Sequence, residues 1–126
     1  MMWHEGIEYE KGGLKYRVLS SQYCLSNIKG FRFESDLCCI YEDGTLVVKR
    51  GFEWNGATGV TDEVMRAECF HDMLYGFIEQ GILPNTWAMR RKCDKLFYKL
   101  NRSGGMSWTR ANIRYYGVRG FGGLFC

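Results

Sequence analysis

His71 and Asp72 stand side by side in the chain, and Asp94 follows at a distance that a second helix would cover. An imidazole near carboxylates is the usual equipment for proton transfer, and the same groups can ligate a metal that activates water. His71, Asp72 and Asp94 are therefore the candidate catalytic residues, and metal-assisted hydrolysis of a phosphoester is the reaction they suggest. The motif is weak by itself. The only other histidine is His4, ahead of all the strands, and no further metal-ligand pattern accompanies the pair. Neighbouring helical residues point about 100° apart, so His71 and Asp72 cannot face one partner squarely. His71 shares a helical face with Ala67, Leu74, Tyr75 and Ile78, which turns it inward. Asp72 falls with Glu68, Tyr75 and Glu79, nearer the rim. Two other readings of the set stay open. One is a ligand site without catalysis. The other is a packing network, with His71 donating to Asp94 or a backbone carbonyl and with Arg90 or Arg91 paired to Asp94 or Asp72.

No serine or cysteine lies in a nucleophile-elbow context, and no phosphate-cradling glycine loop opens a helix after a strand. Charge carries a second signal. Beyond Glu79, nine basic residues against the single carboxylate of Asp94 give that segment +8, leaving −5 for residues 1–79 of the net +3. Lys92, Lys95, Lys99 and Arg102 recur at helical spacing and form a basic stripe. Such a face attracts an anion, or is simply the solvated side of an amphipathic helix, or pairs with the acidic first half. Trp54, Asn55 and Thr58, in a segment of small residues joining the two halves, are candidate ligand-binding groups with Arg91, Lys95 and Arg119. Together they suggest a small, anionic, nucleotide-like ligand. The basic and aromatic residues are not interleaved as in an RNA-binding sheet, so a duplex-reading protein is disfavoured.

The elements that must position these groups come in two blocks. Residues 1–60 read mainly as strands, over Leu14–Leu19, Gln22–Leu25, Phe31–Glu34, Cys38–Tyr41 and Thr45–Lys49. Asp43-Gly44 between the last two marks a tight hairpin, because glycine accepts positive φ at little cost. Residues 61–126 read mainly as three helices. The first spans about Asp62 to Ile78 and is stopped by Gly81 and Pro84. The second runs from Asn85 or Thr86 to Leu100, and the third from an N-cap at Ser107 to about Arg119, with Ile113 and Tyr116 inward. Strands followed by helices predict an α+β domain, with antiparallel hairpins covered by three helices.

The length of 126 residues suits one domain with its own core, and 46% hydrophobic content excludes an intrinsically disordered chain. No apolar run approaches the roughly 20 residues needed to cross a bilayer, and the N-terminus lacks the pattern of a secretory signal. No membrane association is expected. Six cysteines without a C-x-x-C element read as reduced structural thiols rather than disulfides or a zinc site. The sequence names no cofactor, and a homo-oligomer is compatible with it.

Residues 51 to 122 resemble a family found largely in phages and prophages, domain of unknown function 1353. Gly51-Phe52-Glu53-Trp54-Asn55-Gly56-Ala57-Thr58 looks like that family's G-F-x-T-D-G-A-S segment. His71-Asp72-Met73-Leu74-Tyr75 looks like its H-D-x-L-Y segment, and Arg91-Lys92-Cys93-Asp94-Lys95-Leu96-Phe97 like its R-x-A-D-x-x-F segment. Val118-Arg119-Gly120-Phe121-Gly122 echoes its closing V-R-x-F-G. Asn55 stands where the family usually has aspartate, and Thr58 replaces serine. If that aspartate ligates a metal or carries a proton in relatives, Asn55 binds without catalysing. The resemblance implies a phage origin and a polar site, and it brings no established reaction. The functions expected are an accessory protein in the host cytoplasm that binds or degrades a nucleotide-like defence signal, a virion assembly protein, or a metal-dependent hydrolase.

Overall fold

A computed structural model describes residues 9–12, 15–55 and 62–125. Seven short strands precede three helices: β1 (Tyr9–Gly12), β2 (Lys15–Val18), β3 (Gln22–Leu25), β4 (Phe33–Glu34), β5 (Cys38–Ile40), β6 (Thr45–Val48) and β7 (Glu53–Trp54), then α1 (Asp62–Glu79), α2 (Trp87–Ser103) and α3 (Trp108–Phe125). The architecture is α+β, as the order of elements in the sequence predicts. All strand pairs are antiparallel, but they form two sheets, ordered β1-β2-β7 and β3-β6-β5-β4. Two elements escape the sequence pattern. Strand β1 is a short polar edge, and β7 occupies what reads as a junction. Tyr16 lies opposite Trp54 in β2–β7, with the rings stacked 5.5 Å apart, so the junction is a strand because Trp54 needs a partner surface.

The Asp43-Gly44 turn forms as expected. Tyr41 N donates to Thr45 O at 2.9 Å, Asp43 Oδ1 accepts from Thr45 N at 2.9 Å, and Gly44 adopts φ 94°. A Cβ on Gly44 would stand 2.2 Å from the Ser26 carbonyl oxygen, which is backbone and cannot step aside. Gly44→Ala therefore combines positive-φ strain with a clash and should cost about 2 kcal/mol or more in urea unfolding. Gly30→Ala carries the strain alone, since its φ is 90° but no atom lies within 4 Å, and it should cost less. Equal losses at the two sites would contradict this account.

One apolar cluster runs through both sheets and the helices. Helix α1 is its centre, with Met65, Ala67, Cys69, Phe70, Met73, Leu74, Phe77 and Ile78 all buried. That stripe is wider than the three-and-four spacing implies, because α1 packs against α2 on one side and strands on the other. Phe77 meets Phe33 edge-on at 5.6 Å. Gly81 (φ 80°) closes α1, where Ile82 N returns to Phe77 O at 2.9 Å. Thr86 and Ser107 cap α2 and α3, their hydroxyls accepting from Met89 N and Arg110 N.

Helix α3 requires a correction. Ile113 and Tyr116 point outward, at 66% and 67% exposed, and the helix runs to Phe125 rather than ending near Arg119. Its covered side carries Ala111 together with the less exposed Arg114, Val118 and Arg119. Cys24, Cys38, Cys39, Cys69 and Cys93 are free thiols, and burial pushes Cys24 up to about 12 despite the opposing charges of Arg66 and Lys99. Among the described residues, no helix is long and apolar enough to cross a membrane.

Candidate functional site

Asp94 joins the three helices. Its side chain, 1% exposed on α2, receives His71 Nε2 from α1 at 2.7 Å on Oδ1. Tyr75 Oη, one turn beyond His71 on α1, donates to the same oxygen at 2.7 Å. Arg119 from α3 donates to Oδ2 at 2.8 Å. A buried carboxylate is tolerable only when its lone pairs are met, and here three donors meet them. Burial alone would raise the Asp94 pKa; the hydrogen bonds from His71 and Tyr75, the charge of His71 and the bond from Arg119 together outweigh it. The carboxyl therefore lies below its ordinary value.

An ionised Asp94 fixes the tautomer of His71. Oδ1 can only accept, so Nε2 carries the hydrogen, and in the neutral ring Nδ1 is left as a bare acceptor. Nδ1 makes no hydrogen bond to a described residue. The ring is gripped by Tyr75 at 4.4 Å and Phe97 at 4.7 Å between centroids, and the side chain is 15% exposed. That remaining exposure opens on a cleft of about 380 Å³ lined by Asn55, Glu68, His71, Asp72, Phe97, Arg114 and Val118. Arg114 crosses the Phe97 ring at 5.4 Å to pair with Glu68, tying α3 to α1 beside the network. Its Nε is buried without a hydrogen-bond partner among the described residues.

The sequence candidates divide between these surroundings. His71 and Asp94 meet directly, as the packing reading expected, but the arginine that completes the pair is Arg119, not Arg90 or Arg91. Asn55 and Asp72 line the cleft with His71. Trp54 is buried against Tyr16. Arg91 is exposed with its guanidinium over Trp87 at 5.8 Å, and Lys95 is exposed; neither lines the cleft. Thr58 lies outside the described residues. His71, Asp72 and Asp94 do not converge as metal ligands, because His71 Nε2 is directed at Asp94 itself. Among the described residues, no group of three histidine, cysteine, aspartate or glutamate side chains is arranged to hold a metal ion. Sequence reading missed Tyr75, Glu68, Arg114, Phe97 and Val118. Tyr75 carried a signal, its four-residue spacing from His71.

Asp72 is the cleft residue whose charge opposes folding. Desolvation by the surrounding protein raises its pKa, and the His71 charge and a hydrogen bond from the Asn55 backbone only partly offset this. A carboxyl raised in the folded state contributes its stability below the ordinary value of 3.8 and loses it as pH rises through the folded value. Asp72→Asn should therefore raise the unfolding free energy at pH 7, by about 1 kcal/mol or less because the side chain is solvent-facing, and should have no effect near pH 3. Destabilisation at pH 7 would show that the carboxylate is held by bonds rather than tolerated.

The chain matches no family model, no curated protein and no solved structure. The resemblance of residues 51–122 thus rests on its own motifs.

Proposed function

We propose that the protein binds a small anionic, nucleotide-like ligand in the Asn55–His71–Arg114 cleft, as an accessory protein of a phage acting in the infected cell. The observation that carries this reading is the largely buried imidazole of His71, held through Nε2 by Asp94 while the residue lines the cleft. An oriented histidine with a spare nitrogen is equipped to accept a hydrogen bond or a proton from a ligand. Arg114 places a guanidinium in the cleft, which an anionic group would share with Glu68, and Asp72 offers an acceptor for amino or hydroxyl groups. The four stretches behind the phage-family resemblance also meet here: Asn55 and His71-Asp72 at the cleft, Asp94 and Arg119 in the network behind it. Countering a host defence signal, by sequestering or cleaving it, is the role such a site suits.

Thermal-shift measurements against nucleotides and cyclic dinucleotides test this. A ligand at a hundred times its Kd stabilises by about 2.7 kcal/mol. That shift should vanish in His71→Ala and Arg114→Ala and persist in Arg91→Ala, which lies off the cleft. Stabilisation by none of these compounds, or a shift that survives His71→Ala, would remove the proposal.

A further inference from the structure

We infer that the outer face of α2 is a sequence-independent binding surface for single-stranded nucleic acid, separate from the His71 cleft. Every exposed residue between positions 91 and 102 is cationic: Arg91, Lys92, Lys95, Lys99 and Arg102. They span about 16 Å of helix. Among the described residues none of the five pairs with a carboxylate, although Arg17, Arg32, Arg114 and Arg119 all do. The carboxylates of the acidic half that the structure describes thus leave this face unpaired. Unbalanced charge of one sign along a helix is what a polyanion's phosphates neutralise, releasing their counterions.

Exposed indoles select the class of polyanion. Trp87 opens α2 and Trp108 opens α3 just past the last turn of α2, each 63% exposed. The guanidinium groups of Arg91 and Arg119 lie 5.8 and 4.8 Å from the Trp87 ring, whereas the Trp108 ring has no aromatic or cationic partner among the described residues. An open indole six residues after the last cation of the track offers a stacking platform for unpaired bases, which present a π-face whatever their sequence. A duplex keeps its bases stacked internally and gives Trp108 nothing to hold. A membrane surface fits poorly, because an interfacial helix needs an apolar face free for the lipid. The apolar side of α2, with Met89, Cys93, Leu96, Phe97 and Leu100, is buried within the protein.

Fluorescence anisotropy with a labelled oligo-dT and an oligo-U decides the matter, with a duplex and phosphatidylserine vesicles as the other arms. Binding to both single strands is expected, with log K falling against log salt at a slope of roughly −2 to −4 for three to five phosphates engaged. The triple variant Lys92→Gln, Lys95→Gln, Lys99→Gln should lose most of that slope while keeping the wild-type melting temperature, since all three side chains are exposed. Trp108→Ala should weaken binding roughly tenfold with the slope retained. The inference is overturned by no binding at low salt, by a duplex or vesicles binding as tightly as the single strand, or by an affinity indifferent to both variants.

Discussion

Asp94→Ala should lower unfolding stability by about 3–5 kcal/mol, the cost of breaking a buried ion pair by removing one partner. The alanine leaves Arg119 as a largely buried cation and strips the Tyr75 hydroxyl and His71 Nε2 of their acceptor. The losses fall on α1 and α3, the two helices that Asp94 ties to its own, so the effect should appear as a lower urea midpoint by circular dichroism. Asp94→Asn keeps the shape and one acceptor oxygen but not the charge, and should recover part of the loss. The acid limb provides an independent check. Asp94 is depressed in the folded state, so its stabilisation is present above the ordinary carboxylate value of 3.8 and is lost as pH falls through the lower folded value. The gap between wild type and Asp94→Ala should therefore narrow below about pH 4. A loss under 1 kcal/mol, or a gap that widens in acid, would mean that the carboxylate is not the joint between the helices.

Phe77→Ala should cost about 3–5 kcal/mol through lost burial and the cavity left behind. The ring is 1% exposed on α1 and meets Phe33 of β4 edge-on, so it fastens the central helix to the larger sheet. The measurement is again the urea midpoint. Hydrogen exchange should place the loosened amides in β4 and β5, whose Phe33–Ile40 pairing lies beneath the ring. Under 1 kcal/mol of loss would mean that the second sheet is held by other contacts.

The parts of the fold that were legible are those fixed by local chemistry. Asp43-Gly44 announces its turn because positive φ is a property of the residue itself. Thr86, Ser107 and Gly81 announce helix ends because capping is satisfied within a few residues. The facing of α3 was not legible. Its covered side carries two arginines, and a buried arginine is tolerated only through a partner elsewhere in the chain, here Glu68 for Arg114 and Asp94 for Arg119. Periodicity sees Ile113 and Tyr116 as the inward pair because it cannot see those carboxylates. Arg119 read as a ligand-binding cation for the same reason. His71 and Asp94 were recoverable as a pair, since both fall on the apolar faces of helices. The cleft was not, because it depends on how closely α3 approaches α1.

With only two histidines in the chain, long-range proton–nitrogen NMR can observe His71 directly. The hydrogen-bond geometry requires a far-downfield, slowly exchanging proton on Nε2, with Nδ1 unprotonated in the neutral ring and the Nε2 signal lost in Asp94→Ala. A neutral ring protonated at Nδ1, or an Nε2 proton that exchanges freely and ignores Asp94→Ala, would contradict the claim that a buried carboxylate aims this imidazole.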